Sequence, residues 1–292
     1  MKPKYLQFFL ASFTSFCGAT LQAGSLYVPN GSFELPGTVY ADPMVDFWGQ
    51  SPPYTFQATG VFSNQAATDP TYIHNMDGIQ GAFMANGPTV ELYLDYDGVD
   101  WTNRTHQFQA KYEVGKAYDL TVGVIGGGGG MPPGATIQLG LYYRDALSNK
   151  MVVAARTITN SLALFPDKTN FVDFTVSLPG VKPTDVWAGK YIGIQLLDTS
   201  GSPSLGYWDV DNVRLKLARV PMILGGARSG GQFQFTINSE PGAKLEVFAA
   251  TNSTLPAATW TNLGTITNTT GANVYTDSAG LNQRYYRLHL LP

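Results

Sequence analysis

The sequence alternates short apolar or aromatic runs with turns rich in Gly, Pro, Asn and Asp. Several runs place apolar side chains at every second position, which is the pattern of a strand with one buried face. No run of helical length carries a continuous apolar face at helical spacing. The pattern predicts an all-β fold, with strands that include residues 90–94, 118–125, 137–143, 171–178 and 191–197.

The composition agrees with this prediction. Charged residues make up 13% of the 292-residue chain, which is about half the usual share. The chain also contains 32 Gly, 18 Pro and 13% aromatic residues. These values disfavour coiled coils, helical bundles and charged disordered chains, and they fit a turn-rich, all-β protein. The spacing of the strands and turns suits a β-sandwich. The net charge of −3 disfavours nucleic acid as a partner, because it does not attract a polyanion.

Residues 1–23 have the layout of a secretory signal peptide. Lys2 and Lys4 precede an uncharged apolar run that reaches Ala23. A first core strand and a membrane anchor are the alternatives, but the run is short for a spanning helix. We therefore expect a secreted protein, extracellular or periplasmic, with no membrane span in the mature chain. The single cysteine, Cys17, lies in this segment, so we expect no disulfide in the mature protein.

The strand pattern breaks near residue 220, which predicts one domain over 24–219 and a smaller one over 220–292. A glycine-rich stretch at 225–231 follows the break, and we interpret it as a linker. A unit of this size buries only a thin core. Its alternating runs predict an ordinary β-domain with strands over residues 232–238, 243–249, 259–266, 273–276 and 283–289.

The two ends of the first domain carry the most specific motifs. Residues 28–34 read VPNGSFE, and residues 207–215 read YWDVDNVRL. With DGIQGAF at 77–83 and VGKAYDLT at 114–121, this order resembles the jelly-roll carbohydrate-binding modules of the galactose-binding-like type. The resemblance covers about residues 26–217 and implies a jelly-roll β-sandwich whose first and last strands are neighbours.

The C-terminal unit is similar to small β-sandwich modules at the ends of exported bacterial proteins. The similarity lies in PGAKLEVFAAT at 241–251, WTNLG at 260–264 and RYYRL at 284–288. It implies a spacer, docking or surface-attachment module with a possible protein partner, and it brings no known site.

The jelly-roll resemblance also implies a structural calcium ion. In that family a glutamate of the first motif and an aspartate of the last often hold calcium with backbone carbonyls. The matching positions are Glu34 and Asp211, followed by Asn212 where a second aspartate is commoner. Calcium takes six to eight oxygen ligands in flexible geometry, so these residue types suit it. The alternative is that both carboxylates are solvated or hydrogen-bonded to turns.

Sugar rings stack on exposed aromatic side chains. Trp48 and Trp101 lie in loop contexts, with Tyr54 and Tyr96 close to them in sequence. These four residues are the predicted ligand-binding platforms, and ordinary core packing is the alternative for each.

Nothing in the sequence singles out a catalytic centre. His74, His106 and His289 lack metal-ligand spacing, and no nucleophile elbow is present. The glycine run at 126–130 lacks the Lys and Ser/Thr of a phosphate loop, and we interpret it as a strand connection. The sequence therefore predicts a non-catalytic protein that binds a polysaccharide or cell-surface glycan. A matrix protein that binds other proteins is the main alternative, and a polysaccharide-processing enzyme on a jelly roll is the third.

Overall fold

The computed structural model describes residues 24–53, 58–85, 87, 89–99, 105–106, 108–200, 205–219, 221–279 and 284–291. The predicted signal peptide lies outside these residues. The described part of the chain is almost entirely β, which confirms the predicted fold class, and its helical content is one short 3₁₀ turn, Ala257–Thr259. None of the described residues forms a helix long and apolar enough to cross a membrane.

Two antiparallel sheets pack face to face to form a β-sandwich. The first has seven strands, in the order β12-β9-β14-β5-β4-β2 with β1 beside part of β14. Its strands are β1 (Gly24–Leu26), β2 (Ala41–Asp42), β4 (Thr59–Ser63), β5 (Gln80–Ala85), β9 (Lys116–Gly128), β12 (Val172–Leu178) and β14 (Tyr207–Arg219).

The second sheet has five strands, in the order β11-β10-β13-β6-β3. Its strands are β3 (Gly49–Ser51), β6 (Glu91–Leu94), β10 (Thr136–Arg144), β11 (Lys150–Thr159) and β13 (Gly193–Asp198), while a hairpin of β7 (Gly98–Val99) and β8 (Thr105–His106) stands apart. Alternate residues of both sheets meet in one core, which includes Leu92, Leu120, Leu139, Leu196 and Trp208.

Strand β14 lies at the centre of the seven-stranded sheet. It pairs with β9 along one side; on the other, Tyr207–Val210 pairs with β5 and Leu215–Leu217 pairs with β1. The two ends of the predicted domain are therefore neighbours. Between the β5 and β1 pairings the register shifts, and Asn212 adopts a left-handed backbone with φ of 52°. This interruption leaves a gap in the sheet beside Asp211.

The C-terminal residues form two three-stranded sheets with a core of their own. The first contains β15 (Met222–Ser229), β16 (Gln232–Asn238) and β19 (Ala272–Asp277), and the second β17 (Lys244–Ala250), β18 (Thr261–Thr267) and β20 (Tyr285–Leu290). Phe235, Ile237, Leu245 and Val247 are buried between them. The prediction of a glycine-rich linker at 225–231 is wrong for residues 225–229, because these residues belong to β15. The ring of Phe233 lies where a side chain at Gly226 would stand.

Candidate functional site

Two loops cover part of the outer face of the seven-stranded sheet. The side chain of Asn64 bonds both the N–H and the C=O of Ile73, which closes the first loop at residues 64–73. The second loop, which connects β11 to β12 over residues 160–171, is held to this region because Asn75 exchanges two hydrogen bonds with the backbone of Phe171. Ile73, Ile125 and Phe171 form a small buried cluster beneath the loops, separate from the main core.

A cleft of about 570 Å³ remains beside these loops, and we call it the outer-face cleft. Three aromatic rings on its surface lie against glycines directly opposite them on the neighbouring strand. These pairs are Tyr207 with Gly128, Phe83 with Gly60, and Phe62 with Gly81. Because glycine has no Cβ, each ring lies close to the sheet, and the aromatic surface stays accessible as a shallow floor.

Asp209 lies in the middle of this floor. Its register partners are Phe83 on β5 and Ile125 on β9, so apolar side chains flank it on both sides. The residue is only 9% exposed, and its carboxyl makes no hydrogen bond to the described part of the chain. Burial raises the pKa of Asp209 from 3.8 to about 8. A buried carboxyl that none of the described residues hydrogen-bonds is available to a ligand that enters the cleft.

Polar side chains complete the rim of the cleft. Tyr40 is 75% exposed at one side, and Lys168 and Thr71 lie on the covering loops. The glycine run at 126–130, which we interpreted as a strand connection, ends β9 and lines the cleft through its residues 127–130. Its lack of side chains makes room for the ring of Tyr207.

The prediction of Trp48 as an exposed stacking platform is wrong. Its side chain is fully buried, and its ring contacts Phe33 at 5.2 Å between centroids. Its indole N–H donates to the carbonyl oxygens of Pro29 and Asn30, at 3.2 and 3.3 Å. Trp48 therefore anchors the first sequence motif to the core.

Of the other three predicted platforms, Tyr54 and Trp101 lie outside the described residues. Tyr96 follows strand β6 of the opposite sheet and stacks on Tyr191 at 3.9 Å between centroids, nearly parallel. Lys111 lies 4.5 Å from the centroid of the Tyr191 ring. One face of Tyr96 is thus occupied by protein, and its role in ligand binding stays a prediction.

A second cleft, of about 380 Å³, lies at the gap beside Asp211, and we call it the N-terminal cleft. Glu34, Asp77 and Asn212 line it, together with the turn at residues 28–32. Oε1 of Glu34 accepts the N–H groups of Ile79 and Gln80, both at 2.9 Å.

Asp211 lies buried behind the N-terminal cleft, and its oxygens accept the N–H groups of Asp77 and Asn212 at 2.6 Å. Burial, with a smaller contribution from the charges of Asp77 and Glu34, raises the pKa of Asp211 to about 8. The structure thus places Glu34, Asp211 and Asn212, the residues predicted to hold calcium, close to one another, with Asp77 beside them. Within the described ranges, no cluster of three or more His, Cys, Asp or Glu side chains has a metal-binding arrangement.

No protein-family model matches the sequence, and no curated protein matches it. Among solved structures, the Stig cyclase Fisc from Fischerella sp. TAU, in complex with (3Z)-3-(1-methyl-2-pyrrolidinylidene)-3H-indole, matches with a TM-score of 0.52 and 22% identity. That match covers 68% of this chain and 99% of the cyclase. A cyclase from the same organism, in complex with 4-(1H-indol-3-yl)butan-2-one, matches with a TM-score of 0.52 and 21% identity, over 68% of this chain and 100% of the cyclase.

The tandem CBM22 domain of Xyn10C from Paenibacillus barcinonensis matches over 94% of this chain and 87% of that one. Its TM-score is 0.39 and its sequence identity is 14%, and a similarity this low does not indicate a shared function. The likeness to the cyclases shows a shared fold over about two thirds of the chain and nothing about the reaction.

Proposed function

We propose that this chain is an exported, non-catalytic glycan-binding protein and that the outer-face cleft is its binding site. The observation that carries this proposal is the pairing of an accessible aromatic floor with the buried carboxyl of Asp209, which accepts no hydrogen bond from the residues that the structure describes. A sugar presents C–H groups on one face and hydroxyl groups at its edge, so it uses both kinds of surface at once. The ligand would be a polysaccharide or a cell-surface glycan.

Tyr207→Ala is expected to weaken glycan affinity at least about tenfold, which corresponds to about 1.4 kcal/mol. The ring of Tyr207 is 41% exposed and lies against Gly128, so it offers a flat face to a ligand. The measurement is affinity electrophoresis of the mature chain against a polysaccharide panel. Tyr27→Ala is the matched control, because Tyr27 is 79% exposed and lies beside the N-terminal cleft, outside the outer-face cleft.

The same panel separates the alternatives. Saturable retardation by a glycan class, lost in Tyr207→Ala and kept in Tyr27→Ala, supports the proposal. A folded chain that no glycan retards, and that associates with itself or with other proteins, would favour an adhesive matrix protein. Turnover of a polysaccharide would favour an enzyme. A protein partner for residues 220–292 stays a prediction that this panel does not address.

We also propose that calcium binds at the N-terminal cleft and holds the first motif against β14. The residue types that line this cleft suit that ion, because Glu34 and Asp77 carry carboxylates, Asn212 carries an amide oxygen, and the turn at 28–32 offers backbone carbonyls. Bound calcium would neutralise the negative charge that gathers around Asp211. It would act on the fold and take no part in ligand chemistry.

Calcium at about 100 times its dissociation constant is expected to stabilise the fold by about 2.7 kcal/mol. We therefore expect a higher Tm in calcium than in excess chelator, measured by scanning calorimetry, and no such difference in Glu34→Gln. Asp173→Asn is the control, because Asp173 is an exposed acid of β12 outside the cleft. Equal Tm values in calcium and chelator would overturn the calcium proposal and leave glycan binding untouched.

A further inference from the structure

The outer-face cleft combines one buried polar group with several apolar ones. Residues directly opposite each other on antiparallel strands have Cβ atoms about 4.5–5.5 Å apart. Asp209 stands in that relation to both Phe83 and Ile125. Phe62 and Ile73 extend the apolar surface on the same side of the sheet. A group that fits here must offer a hydrogen bond to the carboxyl and an apolar surface next to it.

We propose that the outer-face cleft selects saccharides carrying an acetamido group, which donates its N–H to Asp209 and packs its methyl among Phe62, Phe83 and Ile125. This inference rests on the proposed glycan binding and names the class of sugar. The carboxyl accepts the bond through an oxygen in either protonation state, so the inference does not depend on its titration.

A sugar with only hydroxyl groups fits this position less well. One hydroxyl group can donate to Asp209, but the sugar has no methyl group to cover the apolar side chains. The other polar atoms of the sugar lose their water where they lie against those side chains. Leaving a buried donor or acceptor without a partner weakens binding. Burying the methyl against the apolar side chains strengthens it. Together these effects predict at least about tenfold discrimination.

The test compares two neutral tetrasaccharides with the same β-1,4 linkage, chitotetraose and cellotetraose, by isothermal titration calorimetry on the mature chain. They differ only at C2, where one carries an acetamido group and the other a hydroxyl. We expect chitotetraose to bind at least about tenfold more tightly. Equal affinities would overturn this inference and retain glycan binding at the cleft. Binding of neither sugar, together with no retardation by any polysaccharide, would remove the proposed function as well.

Two substitutions of Asp209 then test whether this residue produces the preference for the acetamido sugar. Asp209→Leu removes the acceptor and keeps an apolar side chain in the floor, so it is expected to reduce chitotetraose affinity to the level of cellotetraose. Asp209→Asn retains a carbonyl acceptor and is expected to keep most of the preference. A preference for chitotetraose that survives unchanged in a folded Asp209→Leu protein would contradict the role of Asp209. Tyr27→Ala serves again as the control outside the cleft.

Discussion

Replacing Trp48 by alanine is expected to lower the free energy of unfolding by about 3–5 kcal/mol. The ring is fully buried and packs against Phe33, so its loss leaves a cavity in the core of the sandwich. The indole N–H also holds the carbonyls of Pro29 and Asn30, which would lose that partner. Since domains are stable by only about 5–15 kcal/mol, this is a large share of the total.

The measurement is urea denaturation of the mature chain followed by circular dichroism. Trp48→Phe keeps most of the ring and loses only the N–H, so it is expected to cost less, about 1–2 kcal/mol. Tyr27→Ala, which removes an exposed ring, is expected to change stability by less than about 0.5 kcal/mol. If Trp48→Ala removed glycan affinity and left stability unchanged, the platform predicted from the sequence would be right and the buried placement wrong.

The difference between the predicted and the observed environment of Trp48 shows which features of the fold a sequence can predict. Alternation of apolar residues located about half of the strands, including β9, β10 and β13, because that pattern is local. The segment around Trp48 has the polar, turn-rich character of a loop. Its burial depends on Phe33 and on carbonyls 18 and 19 residues earlier in the chain, and periodicity within one segment cannot report such contacts.

The same reasoning applies to β15 and to the outer-face cleft. Gly225 and Gly226 read as a linker, yet both lie in β15, which pairs with β16, and the ring of Phe233 on β16 fills the space above Gly226. Two acids at alternate positions of the last motif were noticeable from the sequence, since carboxylates are unusual in a strand. The sequence did not show that the loop at 64–73 closes over one side of the face on which Asp209 lies.

A second large effect is expected in the C-terminal unit, where Asp277→Ala should destabilise its sandwich by about 3–5 kcal/mol. Oδ2 of Asp277 accepts hydrogen bonds from Arg284 at 2.6 Å and from Tyr286 at 2.7 Å. The side chains of Asp277 and Arg284 are only 6% and 14% exposed. Removing the carboxylate therefore leaves the guanidinium buried without its counter-charge, and the core around it is small.

Burial works to raise the pKa of Asp277, but the bonds from Ala279, Tyr286 and Arg284 outweigh it, and the pKa lies below 3.8. The ionised form of Asp277 is therefore favoured more in the folded state than in the unfolded state. The resulting stability is present above about pH 4, and it is lost as the pH falls through the lower folded-state value. Strands β19 and β20 should exchange amide hydrogens faster as the solution is acidified below pH 4, and this acid sensitivity should be weaker in Asp277→Ala.

Asp173→Ala provides the matched control, because Asp173 contacts Arg214 at the same distance of 2.6 Å but on the surface, with the two side chains 58% and 35% exposed. Exposed pairs contribute about 0–1 kcal/mol, since water and salt screen them and both side chains lose freedom. Hydrogen exchange followed by mass spectrometry reports the exchange rates of the two units of one chain separately. The effect of each substitution is therefore measured in the unit that contains it. Equal effects from the two substitutions would show that burial does not set the strength of the Asp277 contact.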